Sequence, residues 1–181
     1  MVGISRTRVG YTGGETLDPT YGSMGDHSES IQIDYDPALI SYAELLEIFW
    51  RNHDPTYHAW RRQYMSAIFY HDEAQKKLAL DTMAGEEERR NRKIQTEILP
   101  LGKFYLAEDY HQKYQLRQYR ELMAEFKRIY PRAIDFINST AAARVNGYVS
   151  GHGTPDGVKA NLESLGLSDA GSKLLLEIAT K

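Results

Sequence analysis

Residues 6–29 read RTRVGYTGGETLDPTYGSMGDHSE, and the fold turns on how that stretch is understood. It begins as a strand and loses its apolar pattern at Gly10. Gly, Pro, Thr, Tyr and acids then follow until Ile31 opens another strand. A loop of that length inside a compact domain is either functional or disordered. Tyr11, Tyr21, His27 and Glu29 among the turn residues favour the functional case. Gly10, Gly13, Gly14 and Gly22 permit positive φ or close backbone approach. A chain built this way folds back and presents polar tips around a small concave site.

Outward from the loop, the pattern alternates sheet and helix. Residues 4–11 form a strand in which Ile4, Arg6 and Arg8 alternate with Ser5, Thr7 and Val9. Ile31, Ile33 and Tyr35 alternate with Gln32 and Asp34 in a half-buried second strand. Ser41 and Glu44 have the spacing of a capping box, opening a helix with Leu45, Leu46, Phe49 and Trp50 on one face that stops near Pro55. Residues 65–70 are a short buried strand. Asp72 opens a second helix reaching towards Glu88, and Ile94, Thr96 and Ile98 alternate as a strand broken by Pro100. The order predicts an α+β fold, a two-layer ferredoxin-like sheet-and-helix domain lacking its first strand and helix.

From Leu116 the spacing turns helical. Leu116, Tyr119, Leu122, Met123, Phe126 and Ile129 define one amphipathic helix, with Leu122, Phe126, Ile129 and Ile137 expected to face inward. After Pro131, a second face runs through Ile134, Ile137, Ala141 and Val145. Residues 151–157 form a turn-rich hinge, and two short helices follow, separated by Gly166 with Ser168 as a cap.

Composition narrows the function classes. The chain has 181 residues, 41% hydrophobic and 26% charged, with a formal net charge of −3. These values fit a globular domain and give no reason to expect a nucleic-acid or membrane partner. No apolar run approaches the ~20 residues of a membrane helix, and no targeting segment is visible, so a cytoplasmic location is expected. Arg61-Arg62 and residues 86–93 read as solvated surface. Cysteine is absent. That excludes a thiolate nucleophile, a disulfide and any Cys-ligated metal.

Several motifs carry a resemblance. Arg6-Thr7-Arg8-Val9-Gly10-Tyr11-Thr12-Gly13-Gly14, Pro19-Thr20-Tyr21 and His27-Ser28-Glu29 resemble the second strand and active-site loop of the peptide methionine sulfoxide reductase A (MsrA) family. Residues 40–46, Phe49-Trp50, Asn52-His53-Asp54-Pro55-Thr56, residues 63–68 and residues 107–114 continue it in the family's order. The resemblance implies an MsrA-like α+β domain over residues 1–114 and a helical C-terminal extension over 115–181 packed on it. It also implies reduction of the S-epimer of peptidyl methionine sulfoxide, in a role of protein repair under oxidative stress. No bound cofactor is implied; thioredoxin or another dithiol would be the reductant.

By position in the motif, Glu29 matches the acid that protonates the sulfoxide oxygen, and Tyr21 and Tyr64 the phenols that hydrogen-bond it. A carboxyl enclosed by aromatic groups keeps its proton towards neutrality. Gly10, Tyr11, Gly13, Gly14 and His27 are candidate substrate-binding residues, with Trp60 either an aromatic wall or a structural tryptophan. The chain departs from the family in four places, one being Met65 where an arginine is common. The nucleophile's Gly-Cys-Phe-Trp-Gly block is not in it. Tyr57-His58-Ala59-Trp60-Arg61-Arg62 replaces a Gln-Gly-Asn-Asp loop. Val149 stands where a resolving thiol would sit in a Gly-Tyr-Cys-Gly pattern. Two expectations follow: loss of an N-terminal block from a reductase, the favoured one, or a degenerate pseudoenzyme that binds oxidised methionine or a protein partner without reducing it. Either way these 181 residues are expected to be inactive.

Two other constellations fall short. His27-x-Glu29 matches half of a zinc-deaminase signature whose other half needs cysteines. Glu108-x-x-His111 matches one pair of a di-iron bundle, where two pairs and two more carboxylates are needed.

Overall fold

In the computed structural model, which describes residues 2–180, local signals fix most element starts. Strand β1 (Ile4–Thr12) and strand β2 (Ser28–Tyr35) flank the long loop, and β2 begins three residues before Ile31. Helix α1 (Tyr42–Arg51) starts at the capping box: Ser41 accepts from the Glu44 N–H, and Glu44 accepts from the Ser41 N–H at 2.8 Å. Strand β3 (Ala67–Tyr70) leads into helix α2 (Glu73–Arg90), capped by Asp72 and ended by Asn91 in the left-handed conformation. Strand β4 (Glu97–Pro100) pairs in parallel with β3, from Ala67 opposite Glu97 to Tyr70 opposite Pro100. Strand β5 (Tyr105–Leu106) completes a three-stranded sheet in the order β2-β1-β5.

The chain divides into two units. One comprises Val9–Ile31 and Asp36–Ala107; the other comprises residues up to Arg8, Gln32–Tyr35 and residues from Glu108 onward. In the first unit, Leu46 and Trp50 of α1 bury against Ala79 of α2, Ile68 of β3 and Ile94, helices over sheet in two layers. The Trp50 indole N–H donates to Thr82 at 3.1 Å, so burying that ring strands no donor.

The second unit is mostly helical: α3 (Tyr114–Arg117), α4 (Arg120–Ile129), α5 (Ala133–Asn138), α6 (Thr140–Tyr148), α7 (Pro155–Leu165) and α8 (Asp169–Ala179). Each of the two expected helices between residues 116 and 147 is therefore broken. On one continuous helix Leu116 and Leu122 would lie roughly 120° apart; the break at Gln118–Tyr119 lets both be fully buried. The second break falls at Ser139, whose hydroxyl caps α6 by accepting from the Ala142 N–H. Leu122, Phe126 and Ile137 are buried as expected, whereas Ile129 and Ile134 are exposed. The strand expected at residues 94–98 begins only at Glu97, because the Ile94 N–H is held by Glu87 and the Gln95 N–H by the Pro55 carbonyl. Pro100 is the last residue of that strand and does not interrupt it. Among the described residues, no helix is long and apolar enough to cross a membrane.

Lys113 is the unusual member of the helical unit. It is buried in the left-handed conformation, with φ 52°, and its ammonium donates to the Thr7 carbonyl, the Thr7 hydroxyl and the Ile137 carbonyl at 2.5, 3.1 and 3.0 Å. Burial, with Arg8 and Arg117 nearby, pushes its pKa down to about 8. The folded chain thus sheds this proton before the unfolded chain does. Stability contributed here is lowest below pH 8 and rises between about 8 and the ordinary 10.5.

Two measurements test this packing. Leu175 is fully buried, and Leu175→Ala should cost about 2–5 kcal/mol in chemical denaturation. Lys113→Met should destabilise by about 1–3 kcal/mol by leaving the oxygens without a donor. The stability difference between wild type and Lys113→Met should widen as pH rises from about 8 to 10.5.

Candidate functional site

The loop between β1 and β2 is held by two adjacent side chains. The Asp26 carboxylate accepts from the Glu15 N–H at 2.8 Å, the Thr16 N–H at 3.0 Å and the Thr16 hydroxyl at 2.8 Å. Those hydrogen bonds hold its carboxyl far below the usual carboxylate range. His27 is buried; its Nδ1 accepts from the Gly14 N–H at 3.2 Å, so its Nε2 carries the proton donated to the Thr16 carbonyl at 2.8 Å. Both ring nitrogens are thus engaged inside the loop. His27, a candidate substrate-binding residue by motif position, thus also ties the loop together.

Glycines make room for this closure at two points. Gly13 has φ +84°, and a Cβ there would strike the Phe69 ring. A Cβ on Gly14 would strike Asp26 at 2.4 Å. Gly10 lies in β1 opposite Leu106, against Phe104, and Tyr11 is a core residue with Met24 and Ala107. Tyr21 rides at the loop tip, between Thr20 and Ser23, which exchange backbone hydrogen bonds, and is 44% exposed.

A second segment, residues 57–66, borders the loop. Arg62 donates from Nε to the Asp26 carbonyl at 2.7 Å and from its terminal nitrogen to the Gly13 carbonyl at 2.9 Å. Its own carbonyl accepts from the Ser28 hydroxyl at 2.9 Å. Arg62 is exposed, as the sequence reading has it, and it is also the clasp of the loop. Gln63 donates to Glu29 at 2.6 Å. Glu29 is exposed, not enclosed by aromatic rings. Tyr64 lies beside Trp60, with ring centroids 5.8 Å apart, and both are exposed. Trp60 is therefore no core tryptophan.

A shallow hollow of about 370 Å³ is lined by Tyr21, Gly22, Met24, Gly25, Arg61, Arg62 and Gln63. Gln63 thus touches both the hollow that Tyr21 lines and the carboxylate of Glu29. Neither Glu29 nor Tyr64 lines the hollow itself. The hollow is thus bordered by the Tyr21 ring, the Gln63 amide and two guanidinium groups, with the Glu29 carboxylate one hydrogen bond beyond it. Gln63 was legible only as a motif member and Arg62 only as surface charge, because their partners lie far away in sequence. The Glu108-x-x-His111 pair falls on a 3-10 turn, Asp109–His111.

The same loop and segment lie within a region shared with known proteins. The family model for peptide methionine sulfoxide reductase matches residues 1–142. A Drosophila melanogaster peptide methionine sulfoxide reductase is 44% identical over 172 residues, covering 92% of this chain and 67% of the relative. A peptide methionine sulfoxide reductase A5 of Oryza sativa is 37% identical over 156 residues, covering 83% of this chain and 61% of the relative. The crystal structure of reduced Mxr1 from Saccharomyces cerevisiae superposes with TM-score 0.60 at 32% identity, covering 66% of this chain and 74% of that one. The chain thus spans about two thirds of the fly relative's length and less of the rice relative's.

The clasped loop predicts an exchange pattern. Asp26→Ala should speed amide hydrogen exchange at Glu15 and Thr16 while leaving α2 amides unchanged.

Proposed function

The chain belongs to the peptide methionine sulfoxide reductase family, and from that premise we propose that its loop and residues 57–66 bind the S-epimer of methionine sulfoxide in peptides. Glu29, Tyr21 and Tyr64 address the sulfoxide oxygen, with Gly10, Tyr11, Gly13, Gly14 and His27 shaping the loop and Trp60 supplying an aromatic surface. The observation that carries this is the Gln63–Glu29 hydrogen bond, which ties the proposed acid to the segment bearing Tyr64 and to the hollow lined by Tyr21.

Reduction in this family's manner needs a thiolate that attacks the sulfoxide sulfur while an acid protonates the oxygen. The sulfur–oxygen bond breaks, methionine leaves, and the thiol becomes a sulfenic acid. A dithiol such as thioredoxin then returns it to the thiol by way of a disulfide, releasing water. Glu29 and the tyrosines can polarise the sulfoxide, and such assistance is worth about 10²–10⁴-fold for an acid. It multiplies a nucleophilic step for which these 181 residues hold no cysteine. The lack of a thiol also favours a second reading, a non-catalytic module that recognises oxidised methionine or a protein partner.

Consumption of a methionine-S-sulfoxide peptide by the purified 181-residue chain with dithiothreitol tests the chemistry. No turnover above the dithiothreitol background is expected. Turnover that Glu29→Gln abolishes would overturn that expectation and require a different oxygen acceptor. In calorimetry, the S-epimer should bind more tightly than the unoxidised peptide, and Tyr21→Phe should reduce that preference.

A further inference from the structure

The side chain of Arg61 is exposed, and its guanidinium lies 4.5 Å from the centroid of the exposed Trp60 ring. It forms no ion pair among the described residues. A cation over an indole ring keeps its charge, and no hydrogen bond or ion pair of the Arg61 side chain competes for its N–H donors among the described residues, which leaves them for a carboxylate. Arg62 adds a second positive charge, and its two bonds to loop carbonyls hold the backbone between them in place. The hollow that both arginines share with Tyr21 is lined by no acidic residue. A second concavity lined by the same arginines includes Glu97, and Glu29 is held by Gln63 outside the lining of the Tyr21 hollow, so the Tyr21 hollow is the one without a carboxylate in its lining.

We propose that Arg61, held over the Trp60 ring, docks an acidic side chain of a peptide whose neighbouring residue occupies the Tyr21 hollow. This rests on the sulfoxide-binding reading for the neighbouring residue, and it names the peptide class: oxidised methionine with an adjacent Asp or Glu. The pair is solvent-exposed, so it acts through selectivity and salt dependence more than through large affinity.

The test uses four C-terminally amidated peptides, combining methionine S-sulfoxide or methionine with a following Glu or Gln. Binding is read from fluorescence, because Trp60 is 69% exposed whereas Trp50 is buried. The Glu peptides should bind about fivefold more tightly than the Gln peptides. That preference should vanish in Arg61→Gln, survive in part in Arg61→Lys, and shrink between about 50 and about 200 mM salt, where surface charges become screened. A preference below about twofold, or one that persists in Arg61→Gln, would overturn the proposal; so would absence of saturable binding by every peptide. Displacement by equimolar inorganic phosphate would show a general anion patch, and a doubled mass in sedimentation would show a second copy as the occupant; either outcome overturns it. A Glu preference without any gain from the sulfoxide defeats the sulfoxide reading and leaves the acidic dock standing. A sulfoxide gain without a Glu preference does the reverse.

Discussion

The two hydrogen bonds from Arg62 to the carbonyls of Asp26 and Gly13 are the constraint on which the site depends. A long loop rich in glycine has many conformations to lose on ordering, at roughly 1–2 kcal/mol per residue. Local bonds offset part of that cost. Asp26 gathers the donors of Glu15 and Thr16, and His27 joins Gly14 to Thr16. What Arg62 adds is a link from both ends of this knot to residues that lie more than thirty positions later. Tyr21 is then carried on a closed turn, and Gln63 follows Arg62 directly in the chain to reach Glu29.

Polar residues in the loop divide by what their side chains must satisfy. His27 and Asp26 bond to backbone groups of the loop and, for Asp26, to the Thr16 hydroxyl, so exchanging them would first disturb the loop. Glu29, Tyr21, Tyr64 and Trp60 lie at the surface, where a ligand can reach them. Geometry adds the arginines, whose positive charge faces the hollow without a carboxylate in its lining.

Much of the fold was legible because its signals are local. The Ser41 and Glu44 cap, the Asp72 cap and the alternation around Ile31 each report on a few adjacent residues, and each marks an element close to its observed place. Strand β5 was invisible because two residues carry no period. The breaks at Gln118–Tyr119 and Ser139 escaped because helical spacing continues across them; only the packed interior reveals that Leu116 and Leu122 must both point inward. The same limit applies to the site. Tyr21 and Glu29 were singled out by motif position alone, while their exposure, the burial of His27 and the reach of Arg62 are decided by residues distant in sequence.

Lys113 has a consequence for the order in which the chain folds. Its acceptor Thr7 lies 106 positions earlier, and the Ser5 carbonyl receives the Thr140 hydroxyl from 135 positions away. Such contacts close late, and their loop entropy slows folding. On a ribosome adding about 10 residues per second, the outer half of the first strand waits on the order of ten seconds for its donors to emerge. Through that interval, the Ser5 and Thr7 carbonyls and the Thr7 hydroxyl have water or a chaperone as their company.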